Sequence, residues 1–105
     1  MRKMRKYRDY LIETLQDPEE ATAYLQVALE EYQADHDTAA LLIALRSVAE
    51  AQGGLSELAR RTHLNLQNLH RTLSSNGNPK LNTLGTILNG LGYRLSVEPL
   101  EGEMT

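Results

Sequence analysis

Cysteine, phenylalanine and tryptophan are all missing from this 105-residue chain. Without cysteine there is neither a disulfide nor a thiolate metal site, a composition that fits a reducing cytoplasm. Without Phe and Trp the core has to come from Leu, Ala, Ile, Val and the five tyrosines. That palette is poor in β-branched residues and favours helices over sheet. No apolar run approaches the roughly 18 residues of a membrane span, so no membrane partner is expected. The basic start MRKMRKYR has no apolar stretch behind it and does not read as a secretory signal. A chain of this size predicts one domain around one modest core.

Catalytic and cofactor signatures are equally scarce. His36, His63 and His70 are the only histidines, and none stands in the His-x-x-x-His spacing of a zinc helix, so no metal is expected. Gly53-Gly54 lacks the Lys-Ser/Thr that follows a phosphate-binding loop. Ser56 lies near Glu57 and His63 in sequence, but serine is too common at helix starts to suggest a triad. Neither a cofactor nor an enzyme is expected.

What is present is charge in blocks. The net charge is −3, yet Arg2, Lys3, Arg5, Lys6 and Arg8 place five of the eleven basic residues in the first eight positions. From Asp9 to Asp37 come nine acids (Asp9, Glu13, Asp17, Glu19, Glu20, Glu30, Glu31, Asp35, Asp37) and no Lys or Arg. From Gly53 to Lys80 the sign reverses, with Arg60, Arg61, Arg71 and Lys80 against the single acid Glu57. Such segmentation bears on partners more than the total does.

The pattern predicts an all-α chain of five to six short helices with one C-terminal strand. Residues 1–6 read as a disordered basic leader and 7–36 as an acidic helical region. Within it, Tyr7, Tyr10, Leu11 and Leu15 mark a first helix to about Gln16. Asp17-Pro18-Glu19-Glu20 starts a second, with Asp17 as cap and Pro18 in the first turn. Ala21, Tyr24, Leu25, Ala28, Leu29 and Tyr32 form its apolar stripe, and Tyr10, Tyr24 and Tyr32 are expected in the core. Asp37 caps a third helix that turns Leu41, Leu45, Val48 and Ala49 inward and stops at Gly53-Gly54. Residues 37–92 form the expected DNA-binding unit, ending in a helix from about Asn82 with Leu84, Ile87, Leu88 and Leu91 inward. Tyr93 to Glu98 alternates as a strand does. Having no partner within the chain, it is expected to pair with a second copy through Tyr93, Leu95 and Val97, giving a homodimer. Residues 99–105 read as a tail.

The segment LSELARRTHLNLQNLHRTLS meets the demands of a helix-turn-helix. Ala59 is the small residue where the two helices touch. Leu55, Leu58, Leu64, Leu69 and Leu73 lock the pair to the core, and Asn65 caps the second helix. At 100° per residue, Leu66, Leu69 and Leu73 share one side of that helix. Gln67, Asn68, Arg71, Ser74 and Ser75 fall opposite, with His70 and Thr72 at the borders. Gln67, Asn68 and Arg71 have the chemistry to read base edges in a major groove. Arg60, Arg61, Ser75, Asn76, Asn78 and Lys80 suit phosphates.

Three blocks carry a family resemblance: DPEEATAYLQVALEE, ALRSVAEAQGGLSELARRTHL and NLHRTLSSNGNPKLNTLGTILNGLGYRLSVEP. In this order, from about Tyr7 to Pro99, they resemble the addiction-module antidote family. These are HigA-like antitoxins with a phage Cro/repressor-type, lambda-repressor-like helix-turn-helix. The resemblance implies a labile antitoxin that binds a small basic RelE/ParE-like toxin and represses the operon encoding both. It places the DNA-reading helix on Leu66 to Ser74. Two positions depart from the family: His63 stands where glycine is usual between the helices, and Leu66-Gln67 where Ser or Thr then Arg is common. His63 is therefore expected at a positive φ. The acidic stretch from Asp9 to Asp37 is either a solvated face or the surface that steers the toxin. A prophage-type regulator without a toxin, and a helical interaction module without DNA binding, are the alternative readings.

Overall fold

The computed structural model describes residues 2–100. Among them are six helices and no strand: α1 (Arg2–Thr14), α2 (Pro18–Asp35), α3 (Thr38–Ala51), α4 (Leu55–Thr62), α5 (Leu66–Thr72) and α6 (Leu81–Gly90). None is long and apolar enough to cross a membrane. Met1 and the tail from residue 101 onward lie outside the described residues.

Local chemistry sets most of the boundaries. Asp17 caps α2 by accepting from the Glu19 N–H at 2.9 Å, and Pro18 occupies the first turn, where its missing N–H costs nothing. Asp37 caps α3 through the Ala40 N–H at 3.1 Å. His36 closes α2 in the left-handed region with φ 57°, and Gly53 and Gly54 turn the chain out of α3 with φ 114° and 95°. α1 begins at Arg2, so it takes in residues the sequence assigned to an unstructured leader.

α3 packs against α1, α2 and α4, while α4 packs against α5 and α6. One leucine-rich core links all six helices, from Leu15 and Leu25 through Leu42, Leu45 and Val48 to Leu58, Leu69, Leu73, Ile87 and Leu91. Each fully buried leucine is worth about 1.5–3 kcal/mol relative to exposure. The inward residues expected on α3 are all buried, as are Ile87, Leu88 and Leu91. Tyr24 and Tyr32 are half-buried against the core. Leu29 is exposed, however, and so is Tyr10 at 67%. α1 and α2 each pack mainly against α3 and so bury a narrower stripe than the sequence pattern offers.

Polar ties complete the docking. Arg8 reaches from α1 to α3, donating through Nη1 to Ser47 Oγ at 2.8 Å and through Nη2 to Glu50 Oε1 at 2.6 Å. Ser47 is fully buried, and its hydroxyl in turn donates to the Ile43 carbonyl. Gln52, just past α3, donates through Nε2 to the Leu91 carbonyl at 3.1 Å and so holds the end of α6.

The expected strand does not form. Tyr93 folds back on its own chain, where its hydroxyl lies 3.0 Å from Thr22 Oγ1 on α2 and its N–H bonds the Leu88 carbonyl. Leu95 is half-exposed beside Gly85, and Val97 is 96% exposed. A strand needs a ladder partner, and no other segment among the described residues supplies one.

Candidate functional site

α4 and α5 form a compact pair around a three-residue turn, His63-Leu64-Asn65. Leu55 and Leu58 anchor α4 in the core, and Leu69 and Leu73 anchor α5. Ala59 is half-buried between them, and its carbonyl accepts the His63 N–H at 2.8 Å. His63 adopts φ 61° and ψ 21°, the left-handed conformation expected where glycine is usual. Asn65 then caps α5, its Oδ1 accepting from the Asn68 N–H at 3.0 Å.

A non-glycine residue in the left-handed region carries about 1–2 kcal/mol of strain, and histidine sits there more readily than most. The His63 side chain is exposed. Replacing His63 with glycine is therefore expected to stabilise the chain by about 0.5–1 kcal/mol, after the larger entropy loss of glycine on folding is counted. Denaturant unfolding checks this, and a lower midpoint would show that the imidazole makes a contact worth more than the strain.

The exposed face of α5 carries the predicted reading set. Gln67, Asn68 and Arg71 are all exposed, and Arg71 Nη2 donates to Asn68 Oδ1 at 2.7 Å. Asn68 and Arg71 also line an open cleft of about 310 Å³ that extends to Thr83 on α6. Leu66, expected on the buried side, is 37% exposed because it opens the helix at the turn rather than within it. α5 ends at Thr72, short of the expected Ser74, as the Ser74 hydroxyl donates to the Arg71 carbonyl and the chain reverses. Beyond it, Ser75, Asn76, Asn78 and Lys80 are exposed in the connection to α6.

Arg60 and Arg61 are placed differently from the rest of the predicted phosphate set. Glu57 receives Arg60 Nε and Nη2 at 2.9 and 2.6 Å, and Arg61 Nε at 2.9 Å. Arg61 further donates to Gln52 Oε1 at 3.0 Å and the Gly90 carbonyl at 3.3 Å. Arg61 thus ties α4 to the ends of α3 and α6, a role that depends on long-range neighbours and left no local mark in the sequence.

The hydrogen bonds from Arg60 and then Arg61 lower the Glu57 carboxyl from 4.5 to about 2. A depressed carboxylate stabilises the fold fully above its unfolded value, and that contribution is lost as pH falls from about 4.5 towards 2. Glu57→Gln should therefore lose less stability than the parent chain between pH 6 and pH 3 in parallel unfolding titrations. Because the pair is solvent-exposed, the difference should shrink with added salt. Equal acid sensitivity in the two proteins would remove Glu57 from the account.

Tight approaches hold this unit together at two glycines the sequence did not mark as contacts. A Cβ on Gly90 would come within 2.5 Å of Thr62 Cγ2 and 2.8 Å of Leu58 Cδ1, which places α6 directly on α4. One on Gly77 would lie 1.9 Å from the Thr72 carbonyl oxygen. Among the described residues, no group of three His, Asp or Glu side chains is placed to hold a metal ion.

A protein-family model described as "Probable addiction module antidote protein" matches residues 6–99. No curated protein and no solved structure matches the chain.

Proposed function

The chain belongs to the family described as "Probable addiction module antidote protein", and from that premise we propose that it is the antitoxin of a type II toxin–antitoxin module that represses its own operon. Membership of an antidote family implies a toxin as partner. In the proposed reading this toxin is a small basic protein of the RelE/ParE-like kind. α4 and α5 act as a helix-turn-helix, with α5 in the major groove and Gln67, Asn68 and Arg71 at the base edges. Ser75, Asn76, Asn78 and Lys80 contact phosphates beside it. Two copies bind as a homodimer to a palindrome whose half-sites lie about one helical turn apart. The chain acts by binding alone, in the cytoplasm.

The observation that carries the DNA reading is the exposed polar face of α5. It is capped at Asn65 and pinned from behind by Leu69 and Leu73, so three side chains able to read bases project from a rigid element. The test is binding to a duplex from the region upstream of the chain's own gene, against a scrambled duplex of equal length. Specific binding that weakens steeply with salt is expected, because phosphate contacts release counterions. Equal affinity for both duplexes, or none for either, would leave the antidote family standing and remove autorepression. Sedimentation tests the homodimer, and a monomer at micromolar concentration would overturn it.

A further inference from the structure

An open cleft of about 250 Å³ lies between α2 and the start of α3. Val27, Ala28 and Ala40 contribute apolar surface to its lining, and Glu31, Asp35 and Asp37 contribute carboxylates. Among the described residues no lysine or arginine lines it, and the sequence has none between Asp9 and Asp37. Val27 is 51% exposed, so apolar surface lies open beside the carboxylates. Two of these acids are partly engaged: Asp37 Oδ1 accepts from the Ala40 N–H and Asp35 Oδ1 from the Asp37 N–H. Each keeps its second oxygen, and the Glu31 carboxylate makes no hydrogen bond among the described residues.

We propose that this cleft is where the toxin docks, by receiving an arginine or lysine side chain from the toxin's surface. The reasoning is one of matched chemistry. A basic side chain has an aliphatic stem and a charged tip, so it buries the stem on apolar surface only where the tip can meet water or an acid. Here the apolar lining accepts the stem and the carboxylates of the same lining accept the tip. An acidic or wholly apolar anchor would leave three carboxylates unpaired against it, a mismatch that disfavours binding. The volume suits a projecting side chain and is too small for a whole helix. The inference rests on the antitoxin reading, since it assigns the partner of that reading to one place on the chain.

The test uses the full chain and the product of the reading frame adjoining its gene, with affinity measured by calorimetry. Glu31→Lys puts a positive charge at the mouth, and Ala40→Arg fills the cleft with the chain's own guanidinium. Both positions are exposed, and unchanged melting temperatures confirm that the fold survives. Glu20→Lys, at the other end of α2, makes the same charge change as Glu31→Lys away from the cleft. Each cleft variant is expected to weaken binding by about tenfold or more, as removal of a central anchor does, while Glu20→Lys stays within about twofold. Equal weakening by Glu20→Lys would show diffuse attraction to an acidic face and overturn the cleft. Unchanged affinity in both cleft variants would overturn it as well, while leaving the toxin reading intact. A product that does not bind the parent chain would overturn the toxin reading and the cleft together.

Discussion

Gly77→Ala should be the most damaging glycine-to-alanine change among the described residues. The new Cβ would lie 1.9 Å from the Thr72 carbonyl oxygen, 2.8 Å from its carbonyl carbon and 3.0 Å from Leu42 Cδ1. Gly77 has no positive φ, so its requirement is space alone. Thr72 is the last residue of α5, and Leu42 is a fully buried leucine of α3. Relief therefore has to come from backbone movement at the end of α5 or from the core. Alanine would rigidify the unfolded chain, a gain of about 0.4–1 kcal/mol that cannot offset such overlap. We expect a loss of about 3 kcal/mol, the upper end for overpacking. For a domain of this size that lowers the melting temperature by more than about 10 °C. Gly90→Ala makes the useful contrast, because the atoms its Cβ would meet belong to the side chains of Thr62 and Leu58 rather than to backbone. It should cost less than Gly77→Ala, and Thr62→Ser, which removes the nearer methyl, should recover part of that loss. Similar melting temperatures for Gly77→Ala and the parent chain would mean that the approach of the α5–α6 connection to Thr72 is looser than described.

The difference between these glycines and the helix caps shows what sequence can carry. Asp17, Asp37 and Asn65 act on backbone groups two or three residues away, so each cap was legible from its neighbours alone. The left-handed turn at His63 was legible for the same reason, once the usual glycine position was identified. Gly77 meets Thr72 and Leu42, and Gly90 meets Thr62 and Leu58. Most of these partners are distant in sequence, and periodicity gives no hint of them. Arg8 stood out in the sequence only as one of five basic residues in the first eight positions, whereas its bonds to Ser47 and Glu50 span 39 and 42 residues. Alternation over residues 93–98 failed for a related reason. It describes side chains on two faces of an extended chain, and it is silent on whether a second strand exists to complete the ladder.

For the candidate site, helical geometry was enough to separate the exposed Gln67, Asn68 and Arg71 from the buried Leu69 and Leu73. Counting charges was not enough for Arg60 and Arg61. Both lie in the basic segment, yet both spend their donors on Glu57, and Arg61 also holds Gln52 and Gly90. A basic residue with an acid one helical turn before it is a candidate for internal pairing before it is a candidate for phosphate. By that criterion Lys80 and Arg71 are the stronger candidates for contacts with DNA in the proposed reading. Arg71 leans on a neutral amide, and no acid pairs with Lys80 among the described residues.

Arg71→Ala consequently has the largest expected effect on DNA binding. If Arg71 pairs with a base, its loss removes a bidentate contact worth about 1–3 kcal/mol, a drop of roughly 5- to 150-fold in affinity. That drop should fall on the cognate duplex far more than on a scrambled one, because base contacts specify while phosphate contacts only position. Lys80→Ala supplies the opposite signature, a uniform loss on both duplexes with the salt slope reduced by about one. The bond from Arg71 to Asn68 adds a sharper test. It orients the guanidinium in the free protein, so if the pair reads DNA as proposed, removing either side chain should disturb the other's contact. The double variant Asn68→Ala/Arg71→Ala should then lose less than the sum of the single losses. Neither substitution should move the melting temperature much, since both side chains are exposed. Fluorescence anisotropy at fixed salt separates these outcomes. An Arg71→Ala protein that keeps both its affinity and its preference for the cognate duplex would place the reading face elsewhere than on α5.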